Sequence, residues 1–272
     1  MEIDRPIFIV GSHRSGTTLL YSILARHMDT GYFNRMNHRF CGKPLLSYLL
    51  TLFFDREDKP REAQRIWDQF KTRDDDVLTA DEVTLETAYC LRNLVENILM
   101  YRQADRFLAK YPRLSLRVSW LEVVFPGALF IHLIRDWRAV VSSMALRREK
   151  REKRGGGWFG IHTPDWRDMS GLSHVVSSAR IYRHTTMTLE AESARKGERF
   201  LTIAYEDLCE NPSTTLQSIT KFCGLTWDEA FVKSIPDKFN SANFKWQGIL
   251  DPVELAAIRA EAPDFYSRHE RD

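Results

Sequence analysis

The sequence predicts an α/β fold: a parallel sheet flanked by helices, with a mostly helical segment inserted on one side. Three observations predict it. Short apolar runs without polar alternation recur along the chain, as strands buried on both faces require. Segments with apolar residues every three to four positions separate them, the pattern of crossover helices. A polar loop bounded by Gly11 and Gly16 joins the first such run to the first such segment.

Residues 5–10 (RPIFIV) are the first predicted strand. Leu19, Leu20, Ile23 and Leu24 then repeat at helical spacing, which predicts a helix from Thr17 to about Met28. Residues 30–104 read as mostly helical. Within them Thr79 and Glu82 have the spacing of a capping box, and Leu85, Ala88, Leu91, Val95, Ile98 and Leu99 follow on one face. Strands are predicted at 106–110 and at 128–134, the latter between Pro126-Gly127 and Arg135-Asp136. A helix over 138–148 and a strand over 199–204 continue the alternation. Asn211-Pro212 gives an N-cap and first-turn proline to a helix through Phe222, which Gly224 stops. Asp251-Pro252 with Glu254 opens the last helix in the same way. No repeat, low-complexity tract or Gly/Ser/Pro-rich linker divides the 272 residues, so a single domain over 1–272 is expected, with 30–104 as its helical side.

Hydrophobic residues make up 43% and charged residues 28% of the chain, the balance of a folded globular protein. The 39 Lys+Arg against 37 Asp+Glu leave +2, which predicts no nucleic-acid partner. The longest apolar candidate, 44–54, contains Ser47, Tyr48 and Thr51 and is too short to span a bilayer. The opening residues MEIDRP lack the basic start and apolar core of a secretion signal. Cys41, Cys90, Cys209 and Cys223 form no CxxC pair, which predicts reduced thiols, no zinc site and a cytoplasmic location.

The chemistry concentrates in two places. Gly11-Ser12-His13-Arg14-Ser15-Gly16, between strand and helix, has the geometry of a phosphate loop, whose backbone amides and helix N-terminus bind an anion. Thr17 and Thr18 follow, so a threonine stands where a nucleotide kinase carries its lysine, and the strong cation is Arg14 within the loop. The loop suits a phosphate-like group better than a triphosphate. The second place is the carboxyl end of the 128–134 strand, where Arg135 stands, with Ser143 eight residues on along the next helix. If the chain turns back after Asp136, a guanidinium fork and a hydroxyl converge on one phosphate.

Together these motifs resemble the sulfotransferases that use 3′-phosphoadenosine 5′-phosphosulfate (PAPS), in their bacterial and Golgi-type branch, which implies a P-loop-like fold. Residues 11–18 resemble the family's 5′-phosphosulfate loop, and Arg135 with Ser143 its 3′-phosphate motif. Lys110-Tyr111-Pro112, the run 125–136, and Tyr205-Glu-Asp-Leu208 with Asn211-Pro212 and Phe222-Cys-Gly224 extend the resemblance over most of the chain. The resemblance implies PAPS as sulfuryl donor with no metal required. It implies Arg14 and Lys110 as catalytic cations, Lys245 as a weaker one, and Tyr205 beside the adenine; a buried core tyrosine is the other reading of Tyr205. The histidine base of the cytosolic branch is absent, because Tyr111-Pro112 stands in its place. The glutamate that the bacterial and Golgi-type branch places after the loop's helix is not found between Thr30 and Leu52, a stretch with no Asp or Glu. His38 is therefore the first candidate base, by its near-neutral titration, with Asp55, Glu57 and Glu82 as alternatives. A magnesium-dependent nucleotide kinase or NTPase, and an inert nucleotide-binding protein, are the competing readings.

The acceptor is left open among small-molecule, lipid and carbohydrate hydroxyls or amines. Leu45, Leu46, Leu49, Leu50, Leu52, Phe53 and Phe54 are read as core, a homodimer face or the lining of a pocket for a lipid or aromatic acceptor. Trp158, Phe159 and Trp166 are read as a sugar platform or a loop anchor. The run 147–157 (RREKREKRGGG) is read as a solvated helix end or a basic lid.

Overall fold

In a computed structural model the residues described are 3–40, 43–53 and 58–271; Cys41, Phe54, Asp55 and Glu57 lie outside them. Among the described residues five strands pair in parallel: β1 (Ile7–Val10), β2 (Thr30–Gly31), β3 (Arg106–Lys110), β4 (Leu129–Ile134) and β5 (Phe200–Ala204), in the order β2-β3-β1-β4-β5. Ile7 stands opposite Leu108 on one side and Leu129 on the other. The two-residue β2 at the sheet edge is absent from the sequence reading, being too short to carry a pattern. The chain leaves β1 toward β2 and β3 but leaves β4 toward β5. That divergence opens a crevice beyond the carboxyl ends of β1 and β4, where parallel α/β sheets bind ligands.

The helices are α1 (Thr17–Leu24), α2 (Arg35–Arg39), α3 (Pro44–Phe53), α4 (Gln64–Asp68), α5 (Leu85–Arg102), α6 (Val118–Val124) and α7 (Trp137–Glu152). After them come α8 (His174–Lys196), α9 (Tyr205–Glu210), α10 (Pro212–Cys223), α11 (Glu229–Lys233), α12 (Pro252–Glu261) and α13 (Pro263–Arg268). Strand alternation sorts the core. Phe8, Val10, Phe107 and Phe130 face Trp67, α5 and α6, whereas Ile7, Ile9, Leu108 and Ile131 face α1 and α10. A third cluster packs Trp137, Val140, Val141 and Met144 of α7 against Ile181 and Tyr182 of α8 and against α12 and α13.

Three expectations change, and one long helix is unpredicted. α1 stops at Leu24 rather than near Met28. The buried face of α5 begins at Thr87 and Leu91, while Leu85 stands in solvent at the first turn. α7 continues through Glu152, so the first half of the basic run is helix. The long α8 escapes sequence reading because it buries Ser177, Ser178, Ala179, Thr185 and Thr186, small hydroxyl and alanine side chains that show no apolar period.

Candidate active site

The loop after β1 needs glycine at both ends. Gly16 has φ 90°, and a Cβ there would lie 2.3 Å from the Tyr205 ring; a Cβ on Gly11 would lie 2.7 Å from the Leu133 carbonyl oxygen. Arg14 also occupies the left-handed region, at φ 72°. The Gly11 amide donates to Ser115 Oγ at 2.9 Å, which ties the loop to the segment after β3. No side chain caps α1 at Gly16, so its first amides remain available to an anion. Ser15 Oγ and His13 Nδ1 are buried beside them without a partner among the described residues. Lost hydration, with Lys110, Arg113 and Arg14 nearby and Glu62 opposing, holds the His13 imidazole neutral, its pKa lowered to about 3. A cavity of about 540 Å³ opens here, walled by His13, Arg14, Thr17, Thr18, Lys110, Ser143, Arg147, Lys150 and Phe159. The basic run thus contributes Arg147 and Lys150 to this loop cavity.

Arg14 links the two motifs. Its Nε donates to Ser143 Oγ at 2.8 Å, and its carbonyl accepts from Arg135 Nη1 at 2.9 Å. Arg135 and Ser143 therefore meet through Arg14, not around a shared point. Arg135 Nε donates to Asn243 Oδ1 at 2.8 Å, and Asn243 Nδ2 donates to Glu206 Oε1 at 2.5 Å. The guanidinium stacks over Tyr205, 4.3 Å from the ring centroid. Behind it Asp136 caps α7, accepting from the Arg138 and Ala139 amides, and Tyr182 donates its hydroxyl to the Arg135 carbonyl at 2.8 Å. Lys245, in the short turn 243–248, is exposed and lines neither cavity described here.

Lys110 ends β3 and is 3% exposed. Its Nζ donates to Thr18 Oγ1 at 2.8 Å and forms an ion pair with Glu62, a residue the sequence reading passed over. Burial raises the Glu62 carboxyl pKa, but the Lys110 charge and the hydrogen bonds from Lys110 and Gln64 outweigh it, so it lies below the usual glutamate range. Glu62 is aimed by its neighbour: Ala63 is buried in the left-handed conformation, φ 50° and ψ 44°, where the chain turns into α4. α4 in turn is pinned to the end of β3. Tyr111 donates to Asp68 at 2.7 Å and Arg117 at 3.0 Å, while the buried Asp76 takes Arg113 and Lys71.

A second cavity of about 670 Å³ lies on the other side of this pair, lined by Thr18, Tyr21, Ser22, Arg35, His38, Arg61, Glu62, Gln64 and Lys110. The two cavities share Thr18, Glu62, Gln64 and Lys110. His38 borders this side cavity alone; burial, with Arg65 and Arg61, lowers its pKa. Glu82 is occupied elsewhere, accepting from the Thr79 amide at 2.7 Å as the capping box predicts. Leu45, Leu46, Leu49 and Leu50 of α3 line neither cavity, and Leu45, Leu46, Leu49 and Phe53 are exposed. Trp158 and Trp166 pack edge to face, and Trp166 stacks on His162, an anchored loop.

The sequence profile of the sulfotransferase family matches residues 6–229. An omega-hydroxy-beta-dihydromenaquinone-9 sulfotransferase of Mycobacterium bovis is 27% identical, over 94% of this chain and 72% of its own. Protein-tyrosine sulfotransferase 1 of Danio rerio is 24% identical, over 84% of this chain and 55% of its own. Among solved structures, a sulfotransferase from Mycobacterium avium superposes with a TM-score of 0.66 at 16% identity, covering 97% of this chain and 77% of that one. The sulfotransferase domain of the Synechococcus PCC 7002 olefin synthase superposes with a TM-score of 0.59 at 21% identity, covering 100% and 96%.

Proposed function

The chain belongs to the sulfotransferase family and is a sulfuryl-transferring enzyme; on that premise we propose that PAPS occupies the loop cavity, an acceptor hydroxyl the side cavity, and that Glu62 is the base between them. One observation carries the reading: the Lys110–Glu62 pair stands where the two cavities meet.

The residues fit the donor. Uncapped amides, the orphaned Ser15 hydroxyl and His13 Nδ1, and Arg14, Lys110, Arg147 and Lys150 suit its sulfated 5′-phosphate end. Arg135 is assigned to the 3′-phosphate, with Ser143 tied to it through Arg14, and Tyr205 to the base side. When bound, the donor supplies the sulfuryl group and a phosphate leaving group. Charge grows on that phosphate in a loose, in-line transfer, so fixed cations supply most of the rate. Arg14 is braced by Ser143 and by its own carbonyl's bond to Arg135, hence oriented before any ligand arrives. Lys110 holds its charge at the cavity junction, hydrogen-bonded to Thr18. Glu62, ionised at neutral pH, takes the acceptor proton on its carboxylate. It becomes more basic whenever Lys110 turns from it toward the donor, because the stabilising ion pair is then lost.

The mycobacterial relative is named for an omega-hydroxylated dihydromenaquinone and the zebrafish relative for protein tyrosine; both acceptors carry hydroxyls, which supports a hydroxyl acceptor here. A cytoplasmic location fits the free thiols of Cys90, Cys209 and Cys223. The test is transfer of labelled sulfate from PAPS to a panel of hydroxyl acceptors, with thermal stabilisation by 3′,5′-adenosine bisphosphate and not by ATP. ATP hydrolysis without sulfuryl transfer would overturn the reading.

A further inference from the structure

The helix α3 is inside out. Its polar side faces the protein: Ser47 is buried and its Oγ donates to the Met36 carbonyl of α2 at 3.3 Å, Thr51 Oγ1 accepts from Asn34 Nδ2 at 2.8 Å, and Tyr48 stacks on Tyr101 with centroids 4.7 Å apart. Its apolar side faces outward, with Leu45 55%, Leu49 44% and Phe53 81% exposed on successive turns and Leu46 beside them. A helix on a water-facing surface carries the opposite arrangement. A contiguous exposed apolar stripe of this kind marks a surface that something covers.

The charges beside the stripe say what covers it. Arg35, Arg39 and Lys43 are exposed on α2 and at the start of α3, and the sequence from Thr30 to Phe53 has no aspartate or glutamate. Leucine and phenylalanine on one face, with cations at the N-terminal side and acids (Asp55, Glu57, Asp58) only beyond Phe54, form the pattern of a helix lying in the plane of an anionic membrane surface. A second copy seated through the same 30–53 stretch would add cations to cations, because that stretch holds no acid of its own. The position adds a second argument. α2 packs on α3 and lends Arg35 and His38 to the wall of the side cavity.

We propose that α2 and α3 dock this protein on an anionic lipid surface, the leucine–phenylalanine stripe entering the headgroup boundary and the basic residues meeting the phosphates, so that the side cavity lies at the bilayer interface. Docking is read from α3 and its flanking charges alone. The consequence, an amphiphilic acceptor presented from the bilayer, rests on the reading of the side cavity as the acceptor site.

The test is flotation of the whole chain, without donor or turnover, on phosphatidylcholine vesicles with and without phosphatidylglycerol. The expected result is binding to the phosphatidylglycerol vesicles that weakens as salt rises. The double variant Leu49→Asp/Phe53→Asp should lose at least tenfold in binding, and Lys43→Glu severalfold. Stabilisation by 3′,5′-adenosine bisphosphate should be unchanged in both, which shows that the fold and the phosphate loop survive. The proposal is overturned if the wild-type chain stays with the soluble fraction, or if the double variant binds as well as wild type. It is equally overturned if sedimentation shows a wild-type dimer that the double variant dissociates while neither binds vesicles. Because no turnover is measured, failure here leaves the sulfuryl-transfer reading standing, and failed transfer leaves docking standing.

Discussion

Glu62 pairs with Lys110 at the junction of two cavities, although the residues lie on separate elements, the turn before α4 and the end of β3. Replacing Glu62 by Gln keeps a hydrogen-bonding side chain beside Lys110 while removing the base. Sulfuryl transfer should fall on the order of 10²- to 10⁴-fold. Stabilisation by 3′,5′-adenosine bisphosphate should persist. Turnover within twofold of wild type in a folded variant would return the role of base to His38.

Arg14→Ala should cost on the order of 10²-fold or more in transfer, since it removes a cation aimed at the developing charge. Ser143→Ala frees Arg14 Nε from its 2.8 Å contact and should cost less than Arg14→Ala itself. Steady-state kinetics on both variants checks the order.

Gly16→Ala should abolish stabilisation by 3′,5′-adenosine bisphosphate. The added methyl meets the Tyr205 ring at 2.3 Å in a backbone already at φ 90°. Thermal melting with and without the nucleotide reads this directly.

Ala63 occupies the left-handed region, so a branched side chain there carries a backbone penalty in addition to crowding. Ala63→Val should destabilise the fold by about 1–2 kcal/mol. It should also depress turnover by re-aiming Glu62, whereas Ala63→Gly should leave turnover near wild type. Urea unfolding and kinetics on the pair separate the two effects.

His132 on β4 is buried, and burial, with a smaller contribution from His269, lowers its pKa to about 3. An unfolded histidine takes up a proton near pH 6.5, and the folded one does not until about pH 3. The stability from this group is therefore complete above pH 6.5 and declines as the pH falls through that window, by up to about 1.4 kcal/mol per pH unit. His132→Gln should flatten the acid side of the melting profile between pH 6.5 and about 4.5 relative to wild type.

The phosphate loop, the strands around it and Arg135 were legible because each is local: glycine spacing, an apolar run, and a charged residue at a strand end occur within a dozen positions. Glu62 was not. Nothing in Arg61-Glu62-Ala63 distinguishes it from Glu57 or Glu82, which the sequence reading named on either side of it. Its standing comes from Ala63's backbone and from Asp68, Tyr111 and Arg117, which fix α4 against β3. Those are tertiary facts. The signal that points toward it is the resemblance itself, which implies a glutamate after the loop's helix. The α3 stripe is visible as leucines, but its direction is not, because Ser47 and Thr51 turn inward only once Met36 and Asn34 are in place. The Arg135–Ser143 spacing predicts two groups around one phosphate, whereas the structure joins them through Arg14. That Arg14 stands between them depends on its left-handed backbone, which no neighbour in the sequence demands.

The strand order sets a timetable for the nascent chain. β1 lies between β3 and β4, and Ile7 finds its partners Leu108 and Leu129 only about a hundred residues later. The phosphate loop therefore cannot take shape as it leaves the ribosome. It stays open through the synthesis of the helical side and closes after Ser115 and then β4 have emerged, leaving an apolar β1 unpaired in the meantime. Mutations that weaken β3 or β4 should accordingly appear first as lost yield during expression, before they are visible in the melting temperature of the protein that does fold.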